Sequence, residues 1–259
     1  MAFVTVLGFA APASADQFSI LDTVEVSGTA SGTTFPSFGG TGTPLLDQFE
    51  YRYSSTDHHL KTLASRPRTS DIEIAFADNN NDDVYTYRVA YQRVSPSGIN
   101  VGSLHIICDG GSCTRAITRP PGDVIFTITG YKFRFDSLDH HTDGIGIIEN
   151  NGQLTTWFDD GNGDDNYTAD VDFAWVPRSR FGTVAEVSGR VHAAGSAITS
   201  TVAGNKVIRG FFVDYTSGDN HIQSLGVRTN PSTIEVLYAD KNPADSVDWT
   251  YRVQFAVLL

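Results

Sequence analysis

The sequence predicts an all-β protein: three tandem repeats of about 80 residues, each a small antiparallel sandwich of roughly five to six strands. Three observations lead there. The first is internal repetition. Residues 49–83 recur without a gap as 131–165 and 211–245. The copies open on Phe49, Tyr51, Tyr53, on Tyr131, Phe133, Phe135 and on Phe211, Val213, Tyr215. The second is periodicity. Apolar side chains alternate with polar ones, β-branched and aromatic residues abound, and no long stretch shows helical spacing. The third is punctuation, since Gly, Pro, Asn and Asp clusters separate the alternating runs at short intervals.

The elements follow in order. Residues 23–27 (TVEVS) form a short alternating strand that runs into a Gly/Thr/Ser/Phe-rich stretch. The aromatic strand 49–55 follows, with Phe49, Tyr51 and Tyr53 on one face and Glu50 and Arg52 on the other. Ile72, Ile74 and Phe76 alternate, an Asp/Asn-rich loop turns the chain, and Tyr85, Tyr87, Val89 and Tyr91 alternate again. That pattern is a hairpin with a longer than minimal connection. Pro96 and the Pro177–Arg180 stretch mark the boundaries, giving repeats at 16–95, 96–177 and 178–259. The last strands YTYRVAY, YTADVDF and WTYRVQF correspond, with two extra residues before Trp249. A sheet of this size must bury its apolar face, and a second sheet packed about 10 Å away is the usual solution. The alternative arrangement is one closed, fused body with a pseudo-threefold axis, one sheet per repeat.

Formal net charge is −12 and the sequence pI near 4.8. Such a surface repels nucleic-acid phosphate and anionic lipid, so neither is an expected partner. Cys108 and Cys113 bracket Asp-Gly-Gly-Ser, which is turn chemistry, and the expectation is a disulfide across a tight hairpin. Residues 1–15 carry an apolar run and Ala13-Ser14-Ala15 ahead of Asp16, which fits the remnant of a secretory signal without its basic start. No other stretch approaches the roughly 20 apolar residues of a membrane helix. A secreted or cell-surface location agrees with the paired cysteines.

Two polar constellations recur. The aromatic strand runs on, in the same two-residue step, to Asp57 and His59, Asp139 and His141, and Asp219 and His221. An Asp–His pair at a strand end satisfies its own polar atoms, or orients an imidazole toward a metal. An acidic loop begins 21 residues after each Asp: Asp78, Asn80, Asp82, Asp83; Asp160, Asn162, Asp164, Asp165; and Asp240, Asn242, Asp245. Alternating hard oxygens suit Ca²⁺, and a shared histidine would favour Zn²⁺ or Mn²⁺ instead. The loops match only the front half of an EF-hand loop: no Gly follows Asp82 or Asp164, and Ala244 interrupts the third copy. Ordinary Asx-turn chemistry accounts for the same residues.

Trp157, Trp175 and Trp249 are candidates for a sugar-stacking face, although Trp249 aligns with Tyr85 and Tyr167, which points to core. The run from Thr156-Trp157-Phe158-Asp159 to Val171–Trp175 resembles small lectin sandwiches of the H-type, in which a Trp-x-Asp hairpin precedes a final alternating strand. The resemblance lies within the second copy and implies a sandwich fold and a sugar ligand; it assigns no binding residue. No nucleophile elbow, phosphate loop or HExxH motif is present. The expected function is therefore secreted, non-enzymatic binding or adhesion. The partner would be an extracellular glycan, a surface polymer or further copies of the chain, since repeats suit multivalent contact. A structural envelope, coat or matrix protein and a metal-dependent hydrolase with one active repeat are the alternatives.

Overall fold

The computed structural model describes residues 19–54, 60–78, 83–135, 142–159, 166–192, 195–215, 222–240 and 248–259. Alternation sets each element. In the first copy the strands are β1 (Ile20–Ser31), β2 (Thr33–Thr34), β3 (Thr43–Tyr53), β4 (Thr62–Pro67), β5 (Ile72–Ala77) and β6 (Val84–Val94). The second copy supplies β7 (Asn100–Asp109), β8 (Ser112–Ala116), β9 (Val124–Phe135), β10 (Gly144–Asn150), β11 (Gln153–Asp159) and β12 (Asn166–Pro177). The third supplies β13 (Phe181–Val191), β14 (Gly195–Ser200), β15 (Lys206–Tyr215), β16 (Ile222–Thr229), β17 (Thr233–Asp240) and β18 (Trp249–Leu258).

These strands form three six-stranded antiparallel sheets. The first runs β1-β6-β3-β16-β17-β14, the second β2-β5-β4-β9-β12-β7, and the third β13-β18-β15-β10-β11-β8. Each sheet therefore joins three strands of one copy to three of another. Numbered within their copies, the strands read 1-6-3 followed by 4-5-2 in every sheet. The first copy leans on the third, the third on the second, and the second on the first. The all-β antiparallel expectation holds. The strands form neither three separate sandwiches nor one sheet per repeat: the body is fused, but each sheet is shared between two copies, because the edge strand of one copy's half-sheet pairs with that of the next. The seams are the pairs β3–β16, β9–β4 and β15–β10, with Phe49 opposite Val227, Tyr131 opposite Ser65 and Phe211 opposite Ile147.

The middle of the body is aromatic. Phe49, Tyr131 and Phe211 hold the same place in their copies and meet as a triangle. Their centroids lie 5.5 Å (Phe49–Tyr131), 4.7 Å (Phe49–Phe211) and 5.4 Å (Tyr131–Phe211) apart. Further along the same strands, Tyr53 packs on Phe76 at 4.2 Å, Phe135 on Phe158 at 3.8 Å, and Tyr215 on Tyr238 at 4.0 Å. Each of these contacts joins two strands of one copy that belong to different sheets. A copy thus bridges two sheets rather than closing a sandwich of its own. The expected register holds: Phe49, Tyr51 and Tyr53 are buried and Arg52 faces out. Trp249 is fully buried, as its alignment with Tyr85 and Tyr167 implies.

Two details lock the body. Pairing shifts at Asp47, Thr129 and Arg209, an equivalent bulge in each aromatic strand. Cys108 and Cys113 form a disulfide with Cα atoms 5.8 Å apart, across a turn in which Gly110 and Gly111 take positive φ. Because β7 and β8 lie in different sheets, this bond ties the second sheet to the third. The two predicted boundaries also meet, since Arg180 donates to the carbonyls of Ser95 and Ser97.

Candidate functional site

Two regions gather chemistry-bearing residues: one rim of the body, and the outer face of the third sheet. The rim follows from register. In the first sheet Tyr53 pairs with Tyr85, Arg52 with Ser224, and Ile222 with Asp240. Matching strand ends line up in the other sheets, where Phe135 pairs with Tyr167 and Tyr215 with Trp249. Backbone bonds continue the seam past the strands: Phe135 N–H to Lys61 O (3.0 Å) and Lys61 N–H to Ala77 O (2.7 Å). In the third sheet Tyr215 N–H reaches Asp143 O and Asp143 N–H reaches Asp159 O, both at 2.6 Å. The residues flanking every Asp-x-His segment and every acidic loop therefore share one rim.

The segments themselves are only partly described. Asp57, His59, Asp139, His141, Asp219 and His221 lie outside the described residues. So do Asn80, Asp82, Asp160, Asn162, Asp164, Asp165, Asn242 and Asp245. Of the predicted ligands, Asp78 is buried at 5% exposure just beyond β5, Asp83 is half-buried before β6, and Asp240 ends β17. Asp78 and Asp83 both act on Tyr53. Burial, then the two carboxylates, pushes its hydroxyl well above the ordinary tyrosine range. Among the described residues no group of three or more His, Cys, Asp or Glu is arranged to hold a metal ion. Two described histidines do pair with aspartate elsewhere: His105 Nδ1 lies 2.6 Å from Asp170 Oδ1, and His192 meets Asp248.

The outer faces of the sheets differ at equivalent positions. In the first sheet Arg228 binds Glu50 through Nε at 2.8 Å and Nη2 at 2.5 Å, and reaches Glu235 at 3.1 Å. Arg52 Nε adds a contact to Glu50 Oε1 at 2.5 Å. In the second sheet Arg66 binds Asp172 at 2.6 and 3.2 Å and Asp170 at 3.3 Å, while Lys132 pairs with Glu73. These networks hold charge of both signs in mutual contact.

The third sheet places other residues in this frame. Phe212 stands where the other sheets have Glu50 and Lys132, and Ile148 where they have Arg228 and Arg66. Trp157 faces Phe212 edge-on, with centroids 5.6 Å apart at 70°. Asp214 replaces Arg52 and Arg134, and Asp159 replaces Ala239 and Ala77. The strand between them carries glycine twice. Gly146 pairs with both Trp157 and Phe212, and Gly144 with both Asp159 and Asp214. A Cβ on Gly144 would lie 2.3 Å from Trp157 Nε1 and 2.7 Å from Asp214 Oδ1. The bare backbone thus lets the indole and the carboxylate converge over the strand. Among the described residues the buried indole N–H has no hydrogen-bond partner. Burial, then Asp159 and Asp143, raises the Asp214 carboxyl to about 6.

Sequence reasoning singles out Trp157 but not Phe212, Asp143, Asp159 or Asp214. The signal lies in differences between the copies: an Asp aligned with two arginines, and another aligned with two alanines. Trp175, also a candidate, is 4% exposed and packs edge-on against Phe126 at 5.6 Å. Comparison of the chain with models of known families and with curated proteins returns no match. No helix among the described residues is long and apolar enough to cross a membrane.

Proposed function

We propose that the protein is a secreted, non-enzymatic binding module for an extracellular glycan or surface polymer, with metal-ordered loops in one or more copies. The observation that carries this reading is the shared rim. Three copies of one polar loop set start and finish along the same end of a rigid aromatic body. Such an array suits multivalent capture, because linked weak sites gain avidity through effective concentration. The disulfide between β7 and β8 is compatible with an oxidising compartment. The approach of Asp78 and Asp83 to one tyrosine concentrates negative charge at the base of the first acidic loop, where a Ca²⁺ ion would offset it.

The test has two arms. A panel of soluble and insoluble polysaccharides is screened for retention of the purified chain; no retention by any member sinks the glycan reading. Calorimetry with Ca²⁺ and with Zn²⁺ on metal-stripped protein tests the loops. Heat that vanishes in the Asp78→Ala/Asp160→Ala double variant is the expected result, and no heat from either ion removes the metal.

A further inference from the structure

We propose that the outer face of the second sheet carries a carbohydrate site: a trough beside Arg66 and Asp172 that takes a neutral, polyhydroxylated chain. The inference rests on the glycan reading and gives the ligand a place. The trough has a volume of about 770 Å³. It crosses the sheet from Glu73 on β5 through Arg66 on β4, Thr129 on β9 and Asp172 on β12 to Ser103 on β7. Differences from the other two sheets open it. On their edges Glu25 is paired with Arg88 at 2.8 Å and Glu186 with Arg252 at 2.7 Å. The equivalent edge residue here is the shorter Ser103. At the bulge of the first sheet Asp47 accepts from Gln92 at 2.9 Å and from Thr229, and in the third sheet Arg209 faces Glu149 at 3.6 Å. The second sheet has Thr129 and Pro67 in those places, and the proline side chain offers no polar partner.

The lining selects the ligand. Arg66 binds Asp172 at 2.6 and 3.2 Å and reaches Asp170 at 3.3 Å, so guanidinium and carboxylate stand side by side before any ligand arrives. Groups already held in place lose little freedom on binding. Those contacts leave N–H groups on the guanidinium and lone pairs on the Asp172 carboxylate. A hydroxyl matches the pair, because it accepts from one and donates to the other in charge-assisted bonds. An ionic ligand does not: an anion meets Asp172 and Glu73, and a cation meets Arg66 and Arg68. Ser103 adds an exposed hydroxyl, and Pro67 and the exposed Val101 offer apolar wall to the C–H faces of a sugar. Arg68 lies over the Phe35 ring at 5.2 Å, which fixes it beside the trough. Adjacent strands lie about 4.8 Å apart, so the five strands crossed span about 19 Å, room for several rings. The first sheet has comparable ion pairs, where Arg228 binds Glu50 and Glu235. The second sheet adds open volume beside them. An acidic polymer is further disfavoured by the net charge of −12.

Affinity electrophoresis of the full chain tests the site. The probes are soluble α- and β-glucans, mannan, galactan and xylan, with polygalacturonate as the acidic member. At least one neutral polymer should retard the protein. Ser103→Glu sets the glutamate of the other two edges into the trough beside Asp172, and Asp172→Asn removes the charge that orients Arg66. Each should weaken the retardation about tenfold, the scale of one lost charge-assisted hydrogen bond. Glu25→Ser, the converse change on the first sheet, should leave it unchanged. Thermal unfolding confirms that each variant is folded; if Asp172→Asn is not, Ser103→Glu, at an exposed position, decides alone. Undiminished retardation of the folded variants overturns the site and leaves glycan binding standing. Retardation by polygalacturonate alone overturns the proposed ligand. No retardation by any polymer removes the site and the glycan reading together.

Discussion

Glu50 and Phe212 hold the same place in two sheets and do opposite things. Glu50 sits between Arg228 and Arg52 and closes its face with charge. Phe212 packs on Trp157 and leaves aspartates at its side. Inward, the same strands present Phe49 and Phe211, which touch each other at the centre. The inside of the body is thus nearly threefold and the outside is not. Inward positions must fit two neighbours at once, so departures there cost packing. Outward positions answer to solvent and are free to diverge.

This comparison makes predictions that differ in size. The largest concerns the centre. Phe49→Ala and Phe211→Ala should each cost about 4 kcal/mol, the loss for a buried phenyl, and by similar amounts. Both should shift one cooperative transition in urea. Two resolved transitions would show that the copies unfold separately and break the fused picture. The same unity predicts that limited proteolysis spares both Ser95–Gly98 and Pro177–Arg180, which Arg180 joins.

Next are the outer networks. Glu50→Ala leaves Arg228 and Arg52 without their shared carboxylate and should cost about 2 kcal/mol, less than a fully buried pair because the arginines are partly exposed. Denaturant titration checks it; a neutral result would mean that the network does not stabilise the first sheet. The Cys108→Ser/Cys113→Ser variant should lose about 2 kcal/mol, at the low end because the loop is short. The loss should equal that of the wild-type chain under reducing conditions.

The smallest effect has the opposite sign. The folded Asp214 carboxyl titrates at about 6, above its ordinary value of 3.8. The folded state therefore holds this proton more tightly than the unfolded chain does. Stability attributable to Asp214 falls as pH rises between those values and stays low above them. Asp214→Asn should stabilise the protein by about 1 kcal/mol at pH 7, after allowance for solvent screening of a half-exposed group. The gain should fade below about pH 4, where the wild-type carboxyl is protonated in both states. An equal gain at pH 7 and pH 3.5 would contradict the assignment.

Much of this architecture is legible in the chain. The alternation of Phe49, Tyr51 and Tyr53 settles which face is buried, and Asp-Gly-Gly-Ser between the cysteines foretells the bridged turn. Strand partners are not legible. Alternation states which side chains go inward but not which strand lies alongside, and a sandwich and a ring bury the same residues. The third outer face is half legible. The search for what the repeats share finds Asp57 and His59, while Asp214 stands out only when the copies are read for disagreement.

The shared sheets bear on how such a body arises. A lone copy owns half of each of two sheets and exposes an unpaired strand along both seams. It has no way to finish itself, but three identical copies complete one another in a ring. An unfused ancestor would thus have assembled as a homotrimer, and joining its genes end to end would have released each outer wall to evolve on its own.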